Sequence, residues 1–104
     1  MAQVTLMPST AIVATGAGTF VGTITTQINL QFVPQSGVGF SGVVEIDSST
    51  SPNPGGGDWF PIATLTFSAH LTPLDINLYL SDNPWVRANI LSTTIGSISV
   101  YMGY

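Results

Sequence analysis

The sequence predicts an all-β fold: a single-domain antiparallel β-sandwich, jelly-roll or Ig-like, with about seven or eight strands. Three observations predict it. Apolar residues recur at a period of two along most of the chain, and no stretch holds convincing helical spacing. Turn signals built from Pro, Gly, Asn and Asp fall about every 8–12 residues. The length of 104 residues suits one domain, 1–104, and a hydrophobic fraction of 44% is enough for one core. With no cysteine, that core has neither disulfides nor a thiolate metal site to help it.

Residues 1–18 are the least regular. Positions 3–7 (QVTLM) are a short strand candidate stopped by Pro8, 11–14 (AIVA) are another, and 15–18 (TGAG) are a loop. This stretch reads either as an edge strand and turn or as an arm that reaches a neighbour. Residues 19–33 carry the clearest strand signal. Phe20, Gly22, Ile24, Thr26, Ile28, Leu30 and Phe32 hold one parity, and Val21, Thr23, Thr25, Gln27, Asn29 and Gln31 the other. Unbroken, the run would span ~50 Å, long for a small domain, so a bend or bulge is expected near Gly22. The PQSG at 34–37 turns the chain.

The pair of arms in 38–67 is the centre of the expected fold. In 38–48, Phe40, Gly42, Val44 and Ile46 alternate with Ser41, Val43, Glu45 and Asp47. The loop 49–58 holds Pro52, Pro54 and three consecutive glycines and cannot continue a ladder. The second arm, 59–67, pairs back. Pro61 has no N–H, so it belongs at a strand start or a sheet edge. Further on, Leu74, Ile76, Leu78 and Leu80 alternate with Asp75, Asn77, Tyr79 and Ser81, and Asp82-Asn83-Pro84 is a turn signal. In 85–91, Val86, Ala88 and Ile90 oppose Trp85, Arg87 and Asn89. Residues 92–96 read as a turn, and Ile98, Val100 and Met102 form the last inward row.

Charge is the unusual quantity. Only 6% of residues are charged, against about 25% in ordinary soluble domains. Arg87 is the single cation; Glu45, Asp47, Asp58, Asp75 and Asp82 are the acids, for a net charge of -4. A nucleic-acid backbone demands several Lys or Arg to displace counterions, and an anionic membrane makes the same demand, so neither partner is expected. No apolar run approaches the ~20 residues of a bilayer span. The opening MAQVTLMPST has no basic start and no apolar block, so no signal peptide is expected. Sheet edges of monomers are usually guarded by lysine or other charge, and this chain has no lysine. Either proline, bulges and loops protect the edges, or a neighbouring subunit covers them. A surface so poor in charge is also cheap to desolvate. Self-association into a homo-oligomer is therefore expected.

Catalytic chemistry finds little support. His70 is the only histidine, and Ser68 stands near it, but no G-x-S-x-G elbow exists; His70 reads as a strand-end residue. Asp47 and Asp58 flank the long loop, whose carbonyls could help bind calcium, but the D-x-D-x-D-G pattern is missing and both read as turn-capping acids. No catalytic, cofactor or metal residue is assigned. Trp59 and Trp85, with Phe60 and Tyr79, could form a sugar-stacking platform. Packing at the core or its rim is favoured, because both tryptophans directly follow turns, where a large ring plugs the end of a sandwich. Arg87 is expected in a structural salt bridge to a carboxylate, or lying across Tyr79 or Trp85. Tyr101 and Tyr104 end the chain on aromatics, either as an edge strand sealed within the fold or as an interface element.

The segments V-E-I-D-S-S (43–48), G-D-W-F-P-I-A-T-L (57–65), D-N-P-W-V-R-A-N-I (82–90) and G-S-I-S-V-Y-M-G (96–103) resemble small β-rich virion proteins of tailed bacteriophages, the capsid decoration or cement type. The resemblance covers about residues 38–104 and consists of patterns, not signatures. It implies a non-enzymatic protein that adds to a capsid or tail and stabilises it. Its partners would be the major capsid protein or another virion protein, and its location the virion, assembled in the host cytoplasm. It carries over no functional residue. A carbohydrate-binding or adhesion module of a tail apparatus, using Trp59 and Trp85, is the alternative.

Overall fold

A computed structural model describes residues 3–22, 27–80 and 84–104. Its nine strands among these residues form two antiparallel sheets packed as a β-sandwich. β1 (Gln3–Thr10), β2 (Ala14–Thr15), β3 (Thr19–Phe20), β4 (Gln27–Pro34), β5 (Phe40–Ser49), β6 (Phe60–His70), β7 (Leu74–Tyr79), β8 (Trp85–Gly96) and β9 (Ile98–Gly103) follow one another along the chain. One sheet has four strands in the order β1-β9-β4-β7. The other has β8, β5 and β6 side by side, with the short β2 and β3 both along the far side of β8. Apart from β2 with β3, only the β5–β6 hairpin keeps consecutive strands in one sheet. The remaining connections pass from one sheet to the other, so the two layers are tied together along their length.

The period-two rows meet between the layers. Ile28, Leu30 and Phe32 of β4 and Val100 and Met102 of β9 pack with Val44, Ile46, Val86, Ala88 and Ile90, all buried. Phe67 joins both layers: its ring centroid lies 5.7 Å from Phe32 and 5.8 Å from Phe40. Truncating a ring such as Phe32 to alanine costs about 3–5 kcal/mol in such a setting.

Several boundaries differ from expectation, each for a physical reason. Residues 19–33 are not one strand. β3 and β4 belong to different sheets, and Gly22 between them has φ +89°, a left-handed conformation that suits glycine. The bend expected near Gly22 is thus the exit from one layer; Thr23, Ile24, Thr25 and Thr26 lie outside the described residues. β1 does not stop at Pro8 but runs through it, because β1 is an edge strand with register shifts on either side of Met7. The first shift turns both Leu6 and Met7 into the core.

The turn expected at 92–96 is strand. β8 pairs along β5 from Ser49↔Trp85 to Phe40↔Gly96, with two bulges, and its Thr and Ile content favours that state. The real turn is at Ser97, where Gly96 has φ +71° and a Cβ would fall on the Gly39 carbonyl. β5 starts at Phe40, two residues late, since Gln35 and Gly39 close the preceding turn. β6 starts at Phe60 and reaches His70. Pro61 is its second residue, on a sheet edge, as a missing N–H requires. Near its end Ser68 and Ala69 oppose the single Ser41, and Ala69, at φ 47°, donates its N–H to Ser41 Oγ at 2.7 Å. The expected turn residues Asp82 and Asn83 lie outside the described residues. β9 is not an edge strand: it lies between β1 and β4, so the chain's last strand is central.

Candidate functional site

The outward face of the five-stranded sheet gathers most of the charge. Strand parity turns Glu45 and Asp47 of β5 outward, and the register sets them beside Asn89 and Arg87 of β8. Arg87 Nε donates to Asp47 Oδ2 at 3.1 Å, and Asn89 Nδ2 donates to the same oxygen. The indole of Trp59 lies over this pair, with Arg87 Cζ 4.5 Å from its centroid. Asp47 is only 2% exposed and Asn89 7%, although both stand on an outer face. The end of the 50–59 loop is their roof. Asp58 stiffens it: its Oδ2 accepts the Gly55 N–H at 2.7 Å, and its own N–H donates to the Gly55 carbonyl at 3.2 Å.

Gly18 makes room for the Trp59 ring, since a Cβ there would lie 2.7 Å from its edge. Phe20 meets Trp85 edge-to-face at 5.2 Å. A cleft of about 280 Å³ remains between Gly18, Asn53, Pro54, Trp59 and Trp85. Glu45 is held above the usual carboxylate range. The main cause is the hydrogen bond its protonated form makes to Asp47, followed by burial and the Asp47 charge, while Asn89 and Arg87 pull the other way. Two acids, one cation and an amide under an indole form a structural network that anchors the loop.

The outward face of the four-stranded sheet is different. Two rows cross it: Thr5, Tyr101, Gln31 and Asp75 are cross-strand neighbours, and so are Gln3, Gly103, Asn29 and Asn77. Gly103 contributes no side chain in mid-sheet. Around it lies a concavity of about 550 Å³ lined by Gln3, Thr5, Asn29, Gln31, Asp75 and Tyr101, among others. Asn29 Nδ2 donates to Asn77 Oδ1 at 3.1 Å. Among the described residues, the side chains of Gln3, Thr5, Gln31, Asp75 and Tyr101 make no hydrogen bond or ion pair within the chain.

The residues singled out in the sequence divide between these faces. Trp59 and Trp85 come together on the five-stranded sheet, both half-buried; Trp59 precedes β6 instead of opening it. Tyr79 is on the other sheet, so the four-ring sugar platform does not assemble. Arg87 meets Asp47 and Trp59, not Tyr79 or Trp85 as expected for a stacked arginine. Tyr101 is 40% exposed in the concavity, whereas Tyr104 packs against the core. His70 ends β6 with its ring 5.4 Å from Phe67, closing one end of the core. Asp47 does not cap a turn; its carboxylate is in the ion pair. The amide row was missed. Its signal was Gln27, Asn29 and Gln31 at a period of two on one parity, with no charge among them.

No family model and no curated protein matches this chain in sequence. Among solved structures it is similar to the crystal structure of the SPBc2 prophage-derived protein YomS, with a TM-score of 0.68. The match covers 97% of this chain and 88% of that one at 10% identity. At that identity the likeness is one of fold: this chain and the prophage-derived protein share the same β-sandwich.

Proposed function

We propose that the protein is a non-enzymatic structural component of a phage particle, decorating or cementing the shell. Its work is to bridge neighbouring subunits by burying charge-poor sheet edges against the major capsid protein, another virion protein or copies of itself. The observation that carries this reading is the state of the edges. β6 ends the five-stranded sheet with eleven residues and no Asp, Glu, Lys or Arg; β1 ends the other sheet with eight and none. Edges of free monomers are normally blocked by charge. Pro8 and the register shifts around Met7 interrupt β1, and Pro61 and the irregularities at Ile62 and Ala69 interrupt β6, but 63–67 is left as a continuous run with no charge. Exposed apolar side chains lie at the ends of these elements, including Leu71 (62% exposed) just past β6. The fold shared with a prophage-derived protein and the pattern shared with decoration proteins support the same placement.

The test has two arms. Sedimentation of the purified protein should show self-association, and Thr66→Lys, an exposed change on β6, should reduce it without lowering the melting temperature. Particles stripped of the protein should burst at lower temperature or milder osmotic stress. A monomer at high concentration, together with stripped particles as robust as complete ones, would reject the proposal.

A further inference from the structure

We infer that the outward face of the four-stranded sheet is a binding site for a neutral, hydroxyl-rich glycan. The inference goes beyond the shell reading and does not depend on it. Gln3, Thr5, Asn29, Gln31, Asp75 and Tyr101 line one concavity, and their positions are set by the ladder of β1, β9, β4 and β7. Each amide presents both a donor and an acceptor, the pairing that adjacent sugar hydroxyls need. The Asp75 carboxylate adds an acceptor. The exposed Tyr101 ring sits on the central strand β9, where the C–H face of a pyranose can pack on it.

Three properties of the site select this ligand class. Among the described residues, five of the six side chains make no hydrogen bond, so their bonding capacity is available to a ligand. The two central strands, β4 and β9, carry three of the groups, so little backbone ordering remains for binding. The single charge in the concavity is negative and the chain's only cation is on the other sheet, which disfavours phosphates, nucleic acids and uronic acids. The Trp59–Trp85 cleft is a poorer sugar site, because one face of the Trp59 ring already carries Arg87.

The experiment is a titration of the full chain, followed by calorimetry and by backbone amide shifts. The probes are maltohexaose, cellohexaose, chitohexaose and yeast mannan as neutral glycans, with polygalacturonate as the anionic control. At least one neutral glycan should bind with a Kd of about 1 mM or tighter, shifting Asn29, Gln31 and Tyr101. Tyr101→Ala and Gln31→Ala should each weaken binding about tenfold, a change of about 1.4 kcal/mol. Trp59→Ala should leave it unchanged. If Tyr101→Ala alters the melting temperature, Gln31→Ala and Asp75→Asn carry the same test. Absence of binding by every neutral probe, shifts confined to Gly18, Trp59 and Trp85, or equal binding of polygalacturonate would each overturn the inference.

Discussion

The two sheets turn different surfaces to the solvent, and both are built from polar residues on the outward parity of their strands. On the five-stranded sheet those residues bond one another: Asp47 holds Arg87 and Asn89, and Trp59 covers them. On the four-stranded sheet Asn29 bonds Asn77, but the Gln3 and Gln31 amides and Tyr101 stay open in a concavity. The difference comes from the loops. The ten-residue connection between β5 and β6 folds back over its own sheet, while nothing comparable folds over β9 and β4 among the described residues. An outward polar residue is therefore structural where a loop roofs it, and available where none does. That rule can be broken at single positions.

The largest expected effect is at Asp47. Removing its carboxylate by Asp47→Ala leaves the Arg87 guanidinium and the Asn89 amide without their shared acceptor in a roofed site. Loss of one partner of a buried ion pair costs about 3–5 kcal/mol; with Arg87 part-exposed, about 2–4 kcal/mol is expected here. Urea unfolding with an unchanged m-value would report it. A loss below about 0.5 kcal/mol would mean that the network is surface decoration. Trp59→Ala comes next. It removes a partly desolvated cation–π contact and the roof above the pair, for about 1–2 kcal/mol. The loop should then become susceptible to proteolysis between Ser51 and Asp58, while the strands stay protected. On the other face, Gln31→Ala should change stability by no more than about 0.5 kcal/mol, because that side chain makes no hydrogen bond among the described residues. A larger loss would place Gln31 with the structural residues and weaken the case for an open site.

How far this contrast could be read in the residues themselves depends on which interaction sets each feature. The inward rows were legible because burial acts through a period of two, and Phe40, Val44, Ile46, Ile98, Val100 and Met102 all lie where that period puts them. The edge placement of β6 was foreshadowed by Pro61. Sheet membership was not legible: 19–33 keeps one parity across Gly22, yet the halves separate into different layers, a choice made by long-range pairing with β8 and β9. The bulges that expose Leu91 and bury both Leu6 and Met7 also depend on the partner strand. For the sites, alternation placed Arg87 on the outward parity, but only the register β5–β8 selects Asp47 over four other acids. Tyr101 was visible as an aromatic near the end of the chain. The concavity around it needed strand order, since Gln3, Gln31 and Asp75 become neighbours only across three ladders.

The smallest expected effect is the most specific to the roofed face. Glu45 stands beside Asp47, and its carboxyl is held above the usual range chiefly by the hydrogen bond that its protonated form makes to Asp47. A proton bound more tightly in the folded chain than in the unfolded one adds stability that is complete below the unfolded carboxylate range. That stability fades as pH climbs through the raised folded value. On the high-pH side of that raised value the wild type carries an ionised Glu45 against the Asp47 charge. Glu45→Gln removes the repulsion and supplies an amide that can donate to Asp47 at any pH. The variant should be more stable than the wild type at neutral pH, and the gap should close as pH falls below the ordinary carboxylate range. Denaturant midpoints across that interval measure it. A variant that is less stable at neutral pH would show that attraction to Arg87 outweighs the like charge of Asp47, and Glu45 would then belong to the ion pair as a second acceptor for the guanidinium.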